Sequence, residues 1–321
     1  MKIKKNITCV SDFLRDIDEL NMSYTVCGMS NKPTECKFLY RGHSDKDYPL
    51  IPSLFRETRD IDITIDDYID NTRYDLASPS SEKKILQAFI AEACAYIRKD
   101  PSDSFYEWAQ YAQHYGAPTR FLDLTENPLV ALYFACKENK PTYQNHGGDI
   151  GGKDGCIWML HLGNYRKFAN QTENIIFPID QKCDYTIAET IEKIYQEPSS
   201  EPIFKYPIIF KPYYVDKRMS AQSSMFMVWG REICKLDVLL SKKNRILRSN
   251  KERSGERGYS LSQENQIAYK FLISNCSKQQ ILRELDHCGI NEKTLFPCVD
   301  GIGRYIEMKY RFDLEESKYF D

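Results

Sequence analysis

The sequence predicts an α+β fold, a mixed β-sheet core with surrounding helices. Three observations carry that reading. Residues 119–162 read as strand, helix, strand; short apolar runs at 37–41, 225–229 and 267–273 read as further strands; and segments with one apolar helical face stand between them. No repeat at a period of 20 to 50 residues and no low-complexity tract competes with it.

In chain order, Ser11 caps a first helix, DFLRDIDEL, in an N-terminal helical segment over 1–35. KFLYR at 37–41 is a strand ended by Gly42, and 45–56, with Pro49 and Pro52, is a loop. Residues 82–98 place Ile85, Phe89, Ala93, Tyr96 and Ile97 on one helical face. A second helix starts at Pro101, carries Phe105, Trp108, Ala109 and Ala112, and stops at Gly116. Thr119 to Thr125 follows a proline and is too short for a helix, so it is a strand.

Asn127-Pro128 is an N-cap followed by proline at the first helical position, opening the helix LVALYFACKEN. After a glycine-rich turn comes the strand CIWMLHL, then a helix at 186–197. Residues 202–215 are extended, and their three prolines confine them to edges and bends. Ser277 with Gln280 predicts a capping box for KQQILRELDHC, closed by Gly289, and the charged end from 304 reads as a helical tail over 305–321.

The totals exclude several classes. The chain has 321 residues, 42% hydrophobic and 28% charged, enough to bury a sizeable core. No apolar run reaches the ~20 residues of a membrane-spanning helix, and no apolar stretch follows the early lysines as in a secretory signal, so the expected location is cytoplasmic. The 11 cysteines are scattered without a C-x-x-C, which points to reduced thiols rather than disulfides or zinc. The five histidines form no metal-ligand pair, so no metal is expected. A net charge of −2 gives no global footprint for nucleic acid. One stretch, 242–257, is strongly basic (Lys242, Lys243, Arg245, Arg248, Lys251, Arg253, Arg257) and is expected to be a solvated loop or an RNA or DNA contact.

Two groups of residues suit chemistry. Arg41 at a strand end beside Gly42 fits recognition of phosphate or carboxylate by a planar fork; the plainer reading is a surface arginine and a turn glycine. On the strand 119–125, alternation puts Thr119, Phe121, Asp123 and Thr125 on one face and Arg120, Leu122 and Leu124 on the other. Asp123 and Thr125 thus share a face near the start of a helix, where an anion is favoured; the plainer reading is that they help cap it.

The pieces FLYRGH (38–43), QHYGAPTRFLDLTENP (113–128), ALYFA (131–135), RMSAQSS (218–224) with Phe226, and LFP (295–297) with Asp300 resemble the FRG-domain family, named for its Phe/Tyr-Arg-Gly motif. They keep the family's order and span 36–304. The departures are Leu124 for the usual tryptophan, Ser224 for the usual glycine, and an insertion at 236–265.

The arrangement is also similar, by analogy, to the ADP-ribosyltransferase layout. That likeness implies a split sheet of that type, with an arginine-glycine on a first strand, a second strand leading into a helix, and a glutamate on a later one. Arg41, Asp123 and Gln222 would fill the catalytic slots, with a glutamine where the glutamate normally acts. Gly42, His43, His114, Thr119, Thr125, Glu126, Asn127, Tyr133 and Phe226 would bind substrate, Tyr133 or Phe226 by stacking on nicotinamide. The implied activity is ADP-ribosyl transfer from NAD by a bacterial or phage-defence toxin, onto a nucleic acid or protein, with an antitoxin as a further partner. Two other classes stay open: a phosphodiester hydrolase using His43, His114 and Asp123, and a non-catalytic module in which Arg41 and Arg120 bind a phosphorylated ligand.

Overall fold

The computed structural model of the chain describes residues 2–26, 38–56, 79–97, 99–100, 102–137, 152–169, 188–189, 191–192, 206–230, 235–240 and 266–317. Seven strands form one mixed sheet: β1 (Lys2–Ile7), β2 (Phe38–His43), β3 (Phe121–Thr125), β4 (Gly155–His161), β5 (Ile208–Phe210), β6 (Ser224–Val228) and β7 (Ala268–Ile273). Their order is β1-β7-β4-β2-β3-β6-β5. Every neighbouring pair is antiparallel except β1 and β7, which run parallel at one edge.

The sheet is continuous but nearly divided in the middle. β2 pairs with β4 over six residue pairs and β3 with β6 over five, whereas β2 and β3 share the single pair Tyr40↔Thr125. The packing divides at the same place. On one face, Phe38, Tyr40, Ile157, Met159 and Phe271 pack beneath helices α1 (Val10–Val26), α4 (Pro128–Cys136) and α7 (Lys278–His287). Farther along that face, Phe121, Phe210, Phe226 and Val228 pack against α2 (Pro79–Ile97) and α3 (Phe105–His114). The opposite face is a single core running from Leu39 and Trp158 to Leu122, Met227 and Trp229, covered by Leu50, Ile51, Phe55 and by Tyr165 and Phe168 of α5 (Leu162–Ala169).

Glycines set how closely α4 approaches the sheet. A Cβ on Gly42 would stand 1.9 Å from the Ala131 carbonyl oxygen, and one on Gly155 would stand 2.3 Å from that of Ala135. The glycine of the Arg-Gly pair therefore makes room for a helix backbone, not for a turn or a ligand. Alanines one helical turn apart put the small side chains of α4 over β2 and β4.

Several expectations need correction. The N-terminal segment is not separate from the domain: β1 adds an edge strand to the sheet, and Phe13 of α1 meets Phe271 edge-on at 5.3 Å. The helix before Gly116 starts at Phe105, where Ser104 accepts a hydrogen bond from the Glu107 amide. Ser277 sits in a 3-10 turn and makes no capping hydrogen bond, and Gln280 reaches forward to Glu284; the capping box forms instead between Asn291 and Thr294, opening the short α8 (Glu292–Leu295). The last helix, α9 (Val299–Ser317), begins before residue 304. Of the extended stretch at 202–215, the described part contributes only the edge strand β5, flanked by Pro207 and Pro212. Among the described residues, no helix is long and apolar enough to cross a membrane.

Candidate functional site

Where β2 and β3 part, Arg41 fills the gap. Its Nη1 donates to the main-chain oxygen of Asp123, satisfying an acceptor that has no ladder partner, and lies 3.9 Å from Asp123 Oδ2. On its other side, Arg41 Nε donates to His43 Nε2 at 2.9 Å. The arginine side chain is only 16% exposed, while the Asp123 side chain is 52% exposed. Burial lowers the Arg41 pKa to about 10, with Asp123 pulling it up and Arg56 pushing it down. A largely covered guanidinium thus faces an open carboxylate.

Arg56 is a second cation at this place, which sequence reasoning passed over as part of a loop. It follows the 3-10 turn Ser53–Phe55, and its Nε donates to the Ile51 carbonyl at 3.3 Å. Its pKa is lowered, first by burial, with Asp123 opposing. The only sequence signal for it was a charged residue directly after the apolar turn Ser53-Leu-Phe55.

The end of α3 closes the other flank of Asp123. Gln113 Nε2 donates to Asp123 Oδ2 at 2.8 Å, and its Oε1 accepts from Thr119 Oγ1. His114 Nε2 lies 2.7 Å from Asp216 Oδ2, and the other oxygen of Asp216 caps the short α6 (Lys217–Ala221) by accepting from Met219 N. Burial lowers the His114 pKa; Asp216 and Asp123 oppose it, and Arg218 adds to the lowering. Arg41 thus joins His43 to Asp123, while His114 is held by Asp216 and feels the charge of Asp123.

Other expected site residues are employed elsewhere. Thr125 Oγ1 donates to the Gln222 carbonyl at 2.6 Å and accepts from Asn127 N at 3.0 Å, so it ties the strand–helix turn to the start of β6. Asn127 caps α4 through Leu129 N, as its position before Pro128 predicts. Glu126 pairs with Lys211. Gln222 is near Thr125, but its side chain donates to the Leu295 carbonyl at 3.0 Å, not toward Arg41. That geometry removes it from the slot assigned to it.

The two aromatic residues are also corrected. Tyr133 is 1% exposed and donates to Glu292, which Lys137 and Arg304 also hold. Phe226 is 3% exposed and stacks on Phe121 at 5.4 Å. Neither offers a face to nicotinamide. Helix α4, PLVALYFAC, is apolar all round, and that is the signal that its tyrosine is enclosed.

Arg120 lies away from the site, as strand alternation predicts. It is 2% exposed, with Nε 2.8 Å from Glu82 Oε2 and Nη1 bonded to the carbonyls of Trp229 and Gly230. The basic residues Lys242, Lys243, Arg245, Arg248, Lys251, Arg253 and Arg257 lie outside the described residues.

A family model for the FRG domain matches residues 36–144. Over those residues, about a third of the chain, the protein is similar to the FRG domain. The matched region runs from β2 to α4, and so contains Arg41, His43, Arg56, Gln113, His114 and Asp123, whereas β4 to β7 of the same sheet lie outside it. No curated protein matches the chain, and no solved structure does.

Proposed function

We propose that this protein binds NAD at the β2–β3 gap and transfers its ADP-ribosyl group. The observation that carries the reading is Arg41 standing between His43 and the exposed carboxylate of Asp123. The layout of the sheet supports it. The arginine strand β2 and the Asp-Leu-Thr strand β3 are neighbours in the sheet. A largely covered arginine is a strong bidentate partner for diphosphate, and Arg56 adds charge beside it.

In the reaction, the bond between ribose C1′ and the nicotinamide nitrogen breaks, and its electron pair leaves with nicotinamide. The ribose becomes cationic, and Asp123 stabilises that charge. The acceptor's nucleophile forms the new bond to C1′ and releases its proton. His114, steadied by Asp216, takes that proton. Gln222 has no part in this scheme. Incubation with labelled NAD and a mixture of protein, RNA and DNA tests the reading: label should enter one fraction as nicotinamide is released.

The His114–Asp216 pair also favours a second reading, phosphodiester hydrolysis with His114 as general base. Release of a nitrophenol from a model phosphodiester, without nicotinamide release from NAD, would select it.

A further inference from the structure

Among the described residues, two buried N–H donors face the same side of the sheet without acceptors. Because Arg41 Nε donates to His43 Nε2, that nitrogen supplies the lone pair and the imidazole proton resides on Nδ1. His43 is 6% exposed, and its Nδ1 has no hydrogen-bond partner among the described residues. The same holds for Nε1 of Trp158, which is 1% exposed. The β2–β4 register sets Arg41 opposite Trp158 and His43 opposite Cys156, so arginine, histidine and indole share one face on adjacent strands.

Cations surround the two donors. Lys270 is the β7 partner of Trp158; its ammonium lies 4.8 Å from the indole ring and donates to the Lys46 carbonyl. The His43 pKa lies well below the usual histidine value. Burial is the main cause, Arg41, Arg56 and Lys270 add to it, and the Tyr48 main chain opposes it. An orphaned buried donor costs about 1–3 kcal/mol, and native interiors nearly always supply a partner. A water molecule would satisfy the donors but bring no negative charge beyond that of Asp123, which faces Arg41 and Arg56. An anion answers both.

We propose that His43 Nδ1, Trp158 Nε1 and Arg41 hold an oxyanion of the phosphate class, with Lys270 and Arg56 supplying further positive charge. The anion is either free phosphate or a phosphate of a larger ligand. This inference shares Arg41 with the NAD reading, for which it would supply the phosphate subsite, but it needs no transfer chemistry.

The test uses the full chain labelled with ¹⁵N, titrated at constant ionic strength with inorganic phosphate, pyrophosphate and ADP-ribose in turn. The His43 imidazole and Trp158 indole signals should shift together and saturate. Trp158→Phe keeps an aromatic ring but loses the donor, and should weaken binding by roughly tenfold or more. Saturation by inorganic phosphate identifies a free-anion site; saturation by ADP-ribose alone identifies a subsite for a larger ligand. Both support the proposal. If neither signal moves with any of the three, the donors hold water and the proposal fails, and it fails equally if folded Trp158→Phe binds as well as the parent. Nicotinamide release, measured separately, judges the transfer reading whatever the anion does.

Discussion

Gly42 and Ala131 approach so closely that any side chain on the glycine would meet a helix carbonyl at 1.9 Å. The glycine of the motif is needed because α4 lies directly on β2. Gly42→Ala must therefore push the helix away, and overpacking of this kind costs about 1–3 kcal/mol or more. Urea denaturation should show the loss even if the arginine beside it is intact. A variant as stable as the parent would mean that α4 can slide without penalty.

Arg120 and Glu82 form a buried ion pair, both side chains at most 3% exposed. Removing one partner strands a charge, so Arg120→Ala or Glu82→Ala should cost about 3–5 kcal/mol. Replacing both by Met and Leu together should recover much of that. Ligand affinity in the folded fraction should not change. An Arg120→Ala protein of full stability that has lost its ligand would reverse the roles of Arg41 and Arg120.

This arginine was legible in the sequence because strand alternation separates it from Asp123. The strand–helix–strand run at 119–162 and the Asn127-Pro128 cap were legible for similar local reasons. Edge strand β1 was not: KIKKNI is lysine-rich, pairs in parallel with a strand near the other end of the chain, and has no turn to announce it. Tyr133 and Phe226 were misread as stacking residues because helix and strand spacing say nothing about what covers a ring; Glu292 and Phe121 do so through tertiary contacts. Arg56 and Asp216 were missed because each depends on a short turn that only packing positions.

His161 gives a pH test. Its Nδ1 accepts from Asn164 N at the start of α5, and burial lowers its pKa to about 4. A histidine whose folded pKa lies below the unfolded value of about 6.5 is protonated first in the unfolded chain. Its contribution is thus complete above about pH 6.5 and declines as the pH falls toward about 4, by about 1–3 kcal/mol at most. His161→Asn keeps an acceptor for Asn164 but cannot take up the proton. The fall in urea midpoint from about pH 7.5 to about pH 5 should be shallower in that variant; an unchanged slope would remove His161 from the account.

Gln222→Glu distinguishes the structure from the sequence analogy. The analogy has glutamate restoring a catalytic group, but the side chain donates to the Leu295 carbonyl. A carboxylate there loses the bond and repels the oxygen, at a cost of about 1–3 kcal/mol. Hydrogen exchange at Leu295 and Phe296 should rise, with no gain in nicotinamide release. A gain in release would return Gln222 to the site.

The central claim is that Arg41 and Asp123 form an NAD site, and calorimetry combined with nicotinamide release tests it most directly. The unmodified protein should bind NAD. Arg41→Ala should abolish binding, because the guanidinium contact to diphosphate goes with it. Asp123→Asn should retain affinity but lose roughly a hundredfold in release, the usual effect of removing one electrostatic contact to the transition state. No NAD binding by the unmodified protein, with candidate acceptors present, would contradict the claim.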